Sequence, residues 1–456
     1  MADLKTAFDA LKAKREDYDL RWDYYHGAQP VNYLHRRVSE IFKGFETNFT
    51  ANWCAVVVDS LLDKLELVGV TGPKAQDDDS GAAQDPPWQA PAQAIWRENQ
   101  LEVEAALAHQ MAAVTGEAAV IVTPHEETGR PEVYTNDPRM VHVAYDADRP
   151  REVTWAAKFW ERGSATFATI YYPDALEYYV APKPWRDLQS VEAFALYEEA
   201  GGIARHDWGR VPVFHLRTSA RRVYSDLDSV IPLQNAVNKL LADMMVAAEF
   251  GAFKQRFIIS NADTVTQLKN APSEIWDIPS DPDGRTQVGE LSAANVDNYL
   301  GAIEHMVNEI GGVSRTPRHM FLHQEGGAPS GEALAREEAP LNAKASKRIQ
   351  LFTPVWRDAL GFALELAGQR DAAEVVEPQW GPVGALPPLA EANLVATYTQ
   401  AGVPLVSALR RAGVSEAEIE QVREEQAREA LQRRDTLGEL YAQAQTEITR
   451  AGAMED

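Results

Sequence analysis

The sequence is poor in three things, and each shortage excludes a class of protein. It holds one cysteine, Cys54, among 456 residues, which rules out an intrachain disulfide framework and any cysteine-based zinc site and fits a reducing compartment. Basic residues are in deficit, with 44 Lys and Arg against 68 Asp and Glu and a formal net charge of −24. A surface that wraps nucleic acid needs clustered cations to neutralise phosphate, and this composition argues against one. No apolar run approaches the roughly 18 residues needed to span a bilayer, so no membrane partner is expected. The opening stretch, MADLKTAFDALKAKREDYDL, lacks the apolar core of a signal peptide. No repeat recurs at a fixed period. What is present is ample core material, 45% hydrophobic and 25% charged residues, in a length that suggests about three domains.

Periodicity organises the chain as α+β. Leu4, Phe8, Leu11, Tyr18, Trp22 and Tyr25 predict an amphipathic helix over 1–26, with Gly27 and Pro30 stopping it. Further helices are predicted over 52–67 and 92–114, separated by an acidic, proline-rich loop at 73–92. Strand-like runs follow at 118–122, 141–145, 153–160, 166–172, 176–180 and 211–216, and their spacing predicts an antiparallel meander. A strong helix is predicted over 226–254, with Pro232 in its first turn. A small compartment with strands at 256–260, 274–278 and 287–291 comes next, and then a helix from about Ser292 that stops at Gly311-Gly312. The longest helix begins near Gly331 and holds a three-to-four spacing for about ten turns. Pro340 and Pro354 predict kinks or interruptions in it. Beyond a Pro- and Gly-rich stretch at 369–390 the pattern is again helical.

Chemistry-bearing motifs are scarce. No Walker loop, zinc-protease helix, nucleophile elbow or dinucleotide fingerprint is present, so neither a catalytic residue nor a cofactor is expected. The Gly326–Gly331 stretch precedes a helix but lacks the Lys-Ser/Thr pair of a phosphate loop, and Ser330 reads as an N-cap. His305, His319 and His323 have no carboxylate at ligand spacing, so no metal is expected, and an enzyme built on them is the weakest reading. Asp226 and Asp228 flank a helix start, where capping accounts for both. Arg315, Arg318, His319 and the run Lys344–Arg348 are basic islands in an acidic chain. They read as solvated loop and helix face, or as a few cations held against a polyanion.

Ordered landmarks along nearly the whole chain carry a resemblance. They are Tyr24-Tyr25-His26-Gly27, Asn52, Val58-Asp59-Ser60, the stretch from Leu65 to Val70, Ile95-Trp96 with Asn99 and Leu101, Gly116-Glu117-Ala118, Asn136-Asp137-Pro138 with Val141 to Asp146, and Gly209-Arg210-Val211-Pro212-Val213. The most specific is Ser330-Gly331-Glu332-Ala333-Leu334, continued by Glu338, Leu341, Lys344, Arg348, Phe352 and Trp356, with Trp380, Pro382 and Ala401-Gly402-Val403-Pro404 later. Together they resemble the portal proteins of tailed double-stranded DNA bacteriophages of the siphovirus type.

The resemblance implies a portal fold with an α/β wing (1–225), stem helices (226–254 and 292–312) and a small α/β clip (255–291). It further implies a tunnel loop (313–330), a long kinked spine helix (331–368) and a helical C-terminal crown (369–456). It implies a non-enzymatic homo-oligomeric ring, usually of twelve copies, at one capsid vertex. The ring would be the channel for DNA packaging and ejection, partnered by double-stranded DNA, the terminase large subunit, a head–tail adaptor, and the major capsid and scaffold proteins. Its place is the virion, reached from the host cytoplasm during assembly. Channel residues would be Arg315, Arg318, His319, His323, Gln324, Gly326, Gly327 and Ser330. A head–tail adaptor or minor head protein without a channel is the alternative.

Overall fold

Leu4, Ala7, Phe8 and Leu11 recur at three- and four-residue steps, and helix α1 (Ala2–His26) buries all four. Gly27 ends it in the left-handed region at φ 72°. The computed structural model describes residues 1–29, 50–72, 86–219, 222–252, 256–259, 287–290, 295–321, 331–384 and 388–412, with single positions between 414 and 428. They fall into two compact units, one of Met1–Ala328 with Ala343–Trp380, the other of Pro329–Asn342 with Gly381–Asp456.

In the first unit Asn52 caps α2 (Trp53–Leu62), its Oδ1 accepting from the Ala55 N–H at 3.2 Å. The helix predicted to reach Leu67 ends five residues earlier, because β1 (Leu67–Thr71) pairs antiparallel with β13 (Glu377–Trp380). The helix predicted over 92–114 is two, α3 (Gln89–Glu98) and α4 (Leu101–Thr115). Gln100 breaks them at φ 48°, and the Asn99 amide fixes the break. That amide donates to the Ile95 and Pro131 carbonyls and accepts from the Val133 N–H at 2.9 Å, tying the helix end to the next strand pair.

The sheets are antiparallel, as the spacing predicts. Strands β2 (Glu117–Pro124), β3 (Pro131–Asn136) and β10 (Val213–Arg217) form one in the order β10-β2-β3. A six-stranded sheet runs β4 (Val141–Tyr145), β5 (Val153–Arg162), β6 (Ala165–Tyr171), β7 (Ala175–Ala181) and β8 (Ala195–Leu196), with β9 (Ile203–Arg205) also on β7. Phe8 of α1 meets Phe159, Trp185 and Phe194 over this sheet, the Trp185 ring at 5.0 Å.

Helix α5 begins at Ile231 and not at Asp226, and runs to Ala252; residues 226–230 are turns. Helix α6 (Asp297–Ser314) packs on it through Val237, Val307 and Ile310. It passes through Gly311-Gly312, where a stop is predicted from sequence. A side chain at Gly311 would meet the Thr316 carbonyl oxygen at 3.1 Å and the Phe321 ring at 3.3 Å, so the first glycine serves close packing. Between the two helices β11 (Arg256–Ile259) and β12 (Gln287–Glu290) pair antiparallel. The predicted strand at 274–278 lies outside the described residues.

Helix α7 (Gly331–Leu366) is one uninterrupted element through Pro340 and Pro354, against the expected interruptions. Its Phe352, Trp356, Phe362 and Ala363 fill the core beside α4 and β2. His109 of α4 lies there, 1% exposed, its ring stacked on Phe352 at 5.2 Å and Trp380 at 5.3 Å. The Trp356 indole donates to its Nε2 at 3.0 Å, so Nδ1 carries the proton and donates to the Leu65 carbonyl at 2.9 Å. Burial pushes the His109 pKa down to about 4. The short α8 (Arg370–Ala373) follows. In the second unit α9 (Pro388–Gln400) and α10 (Leu405–Ala412) are helical, as predicted.

Candidate functional site

Two buried charged clusters stand out in the first unit. One joins α1 to the β10-β2-β3 sheet. Glu117, at the start of β2, accepts from the Lys14 ammonium and the Tyr18 hydroxyl on Oε1, and from His215 Nε2 at 3.0 Å on Oε2. The other His215 nitrogen meets the Tyr145 hydroxyl at 2.9 Å. Burial opposes the Glu117 charge; the His215 hydrogen bond and the Lys14 ammonium overcome it and hold the carboxyl well below the usual range. Every polar atom of Glu117 and His215 has a partner, and this cluster is closed.

The second cluster lies where α6 ends against α7 and the turns before α5. Asp226 is anchored by its own N–H, which donates to the Ala113 carbonyl at 3.0 Å. Its carboxylate receives Arg348 Nη2 at 3.0 Å on both oxygens and Lys344 Nζ at 3.1 Å. Lys344 also donates to the Ser314 carbonyl at 3.1 Å, which ties α7 to the last turn of α6. Asp226 is therefore the acceptor of a buried ion cluster, whereas the sequence suggests a helix cap. Asp228 does support the turn, accepting from the Ser225 N–H at 3.1 Å, and it pairs with Arg21 at 3.0 Å. Arg348 is 4% exposed, and its Nη1 has no hydrogen-bond partner. A cleft of about 490 Å³ opens beside it, lined also by Arg315, Lys344 and Lys347.

Of the channel residues expected from sequence, Arg315, Arg318 and His319 are described. Arg315 sits just past α6 in the left-handed region at φ 63°, exposed. Arg318 is exposed and pairs with Glu304 of α6. His319 lies in a one-turn 3₁₀ helix, Arg318–Met320. His323, Gln324, Gly326, Gly327 and Ser330 lie outside the described residues. Among the described residues no three His, Cys, Asp or Glu side chains converge as a metal site, and no helix is long and apolar enough to cross a membrane.

The run Lys344–Arg348 is only partly the solvated face that composition suggests: Lys347 is exposed, Lys344 half-buried and Arg348 buried. The signal was in the spacing. Arg348 falls seven residues after Leu341 and four before Phe352, inside the apolar stripe of α7.

The family described as "Phage portal protein, SPP1 Gp6-like" matches residues 4–432, and the chain belongs to that family. The portal protein of Mycobacterium phage D29 is 23% identical over 292 residues, and that of Mycobacterium phage L5 is 22% identical over the same length. Each match covers 59% of this chain, and 58% and 57% of the relatives, so the chain spans just under three fifths of their length. Among solved structures, a chain from the neck of an empty GTA particle computed with C6 symmetry is similar, with a TM-score of 0.48 and 11% identity over 84% of this chain and 95% of that one. A chain from the neck of the native GTA particle computed with C12 symmetry has a TM-score of 0.42 at 11% identity, over 83% and 94%.

Proposed function

We propose that the protein is the portal of a tailed phage. It forms a closed ring, of twelve copies in the virion, at one capsid vertex, and double-stranded DNA enters and leaves through its channel. The family match over residues 4–432 carries this reading. The arrangement of α5 and α6 supports it: two long helices packed side by side, with a short antiparallel strand pair in the chain between them.

On this reading residues 1–225 are the wing, α5 and α6 the stem, 255–291 the clip that faces the tail adaptor and the terminase large subunit, and α7 the spine. The segment after α6 is the tunnel loop. Residues 369–456 form the crown inside a shell of capsid protein, assembled with scaffold in the host cytoplasm. Each copy brings a net charge of −24. The summed field repels DNA from most of the ring and lets the duplex slide, with Arg315, Arg318 and His319 making brief, screened phosphate contacts. Heterologous, head-to-tail contacts between copies close the ring without a free end. The chemistry of packaging belongs to the terminase, not to this chain.

Light scattering on the purified chain, with particle images of the same fraction, tests the reading. A ring of twelve 50.5 kDa copies has a mass of about 600 kDa and an annular outline. A stable species of one or two copies across salt conditions would favour a channel-free adaptor.

A further inference from the structure

The cleft beside Arg348 holds more cations than the described residues of one copy neutralise. Four cations line it, Arg315, Lys344, Lys347 and Arg348, against two carboxylates, Asp226 and Asp228. Arg21 approaches Asp228 from outside the cleft and takes up part of that charge. Lys347 and Arg315 are exposed and make no ion pair among the described residues, and the buried Arg348 keeps Nη1 unpaired. A local excess of positive charge in a chain of net charge −24 is a recognition feature, because a buried guanidinium nitrogen without an acceptor is costly to keep.

The same unit carries an opening of opposite character. A groove of about 680 Å³ runs along the first half of α4, lined by Asp63, Glu66 and Glu102 and by no lysine or arginine. Val68, Val103 and Leu107 line it too, 41%, 53% and 39% exposed, a cluster of large apolar side chains that water covers poorly. The two surfaces share no lining residue. Asp226 binds α4 at Ala113, eleven residues beyond Glu102, so they sit roughly 16 Å apart along that helix. Two different, complementary faces on one chain are what a head-to-tail ring requires.

We infer that the Arg348 cleft of one copy receives the acidic groove of the next, with Asp63, Glu66 and Glu102 meeting Lys347 and Arg348. The apolar residues of the groove are covered in the same contact. In a ring of like-charged copies this pairing sets local attraction against the overall repulsion, and it leaves Lys347 and Arg348 unavailable to DNA. The inference rests on the ring reading given above.

Rings of the full chain, assembled from an equal mixture of ¹⁵N-labelled and unlabelled copies, test it. A carbodiimide joins lysine to carboxylate without a spacer, and the isotope pattern separates links within a copy from links between copies. The expected result is Lys347 joined to Asp63, Glu66 or Glu102 of the other isotope. Lys347→Glu, whose side chain is exposed, should lower the ring fraction at least about tenfold in 0.1 M salt while leaving the copy folded, and Lys347→Arg should restore it. Annular particles in which Lys347 links only within its own copy, or to carboxylates elsewhere, would overturn the inference and leave the ring reading standing. Protection of Lys347 from acetylation only on addition of duplex DNA or inorganic phosphate would assign the cleft to phosphate and overturn it as well. Absence of any annular particle from the wild-type chain would overturn both.

Discussion

The two buried charged clusters are alike in composition and opposite in outcome. Around Glu117 a carboxylate, an ammonium, a histidine and two tyrosines account for one another, and the cluster holds α1 to the sheet. Around Asp226 one carboxylate takes two cations, one guanidinium nitrogen is left over, and two further cations stand beside it in a cleft. A polar network satisfied from within fixes a fold; one supplied in excess points to a partner outside.

The sharpest way to break this comparison is at its carboxylates. Asp226→Ala removes the carboxylate that Arg348 and Lys344 share and should cost about 3–5 kcal/mol, read as a lowered denaturant midpoint. Asp226→Asn should be milder, since an amide oxygen still accepts. The next largest effect comes from His109, which is buried between the Trp356 indole and the Leu65 carbonyl, with the Arg348 charge also disfavouring its protonation. Its pKa falls from an unfolded value near 6.5 to about 4, so the unfolded chain binds the extra proton first as pH drops. Stability from this group is complete above pH 6.5 and is lost as pH falls through 4, by about 3 kcal/mol in all. His142, lowered to about 4 mainly by burial, adds to the same window. Unfolding of wild type and His109→Gln at pH 7 and pH 4.5 checks the slope, which should flatten in the variant.

Smaller effects separate the closed cluster from the open one. Tyr18→Phe removes one donor to Glu117 while Lys14 still covers the same oxygen, and about 1.5 kcal/mol should be lost. Lys347→Ala should change the stability of the single copy by less than about 0.5 kcal/mol, because the side chain is exposed and makes no ion pair among the described residues. A large loss there would mean that the cleft is already filled from within.

Much of the architecture was legible from the residues. The stripe Leu4, Phe8, Leu11 marks α1, and β-branched runs at even spacing mark the meander. What escaped was set by distant partners. The break at Asn99-Gln100 exists because Asn99 bonds β3 at Pro131 and Val133, 32 and 34 residues on. Helix α6 runs past Gly311 because Phe321 and Thr316 pack where a side chain would be. Pro340 and Pro354 each remove one helical hydrogen bond, yet the thirty-six residues of α7 stay in one element. Of the site, the basic islands could be seen, but local rules assign Asp226 to a cap. Its pairing with Arg348, 122 residues away, leaves a trace only in the placement of Arg348 within an apolar stripe.

The most direct test of the account is a density map of assembled particles fine enough to resolve side chains. The account predicts a closed ring in which a carboxylate of the neighbouring copy lies within about 4 Å of Lys347 or Arg348. A closed ring whose Arg348 cleft opens to solvent or to the DNA path would contradict it.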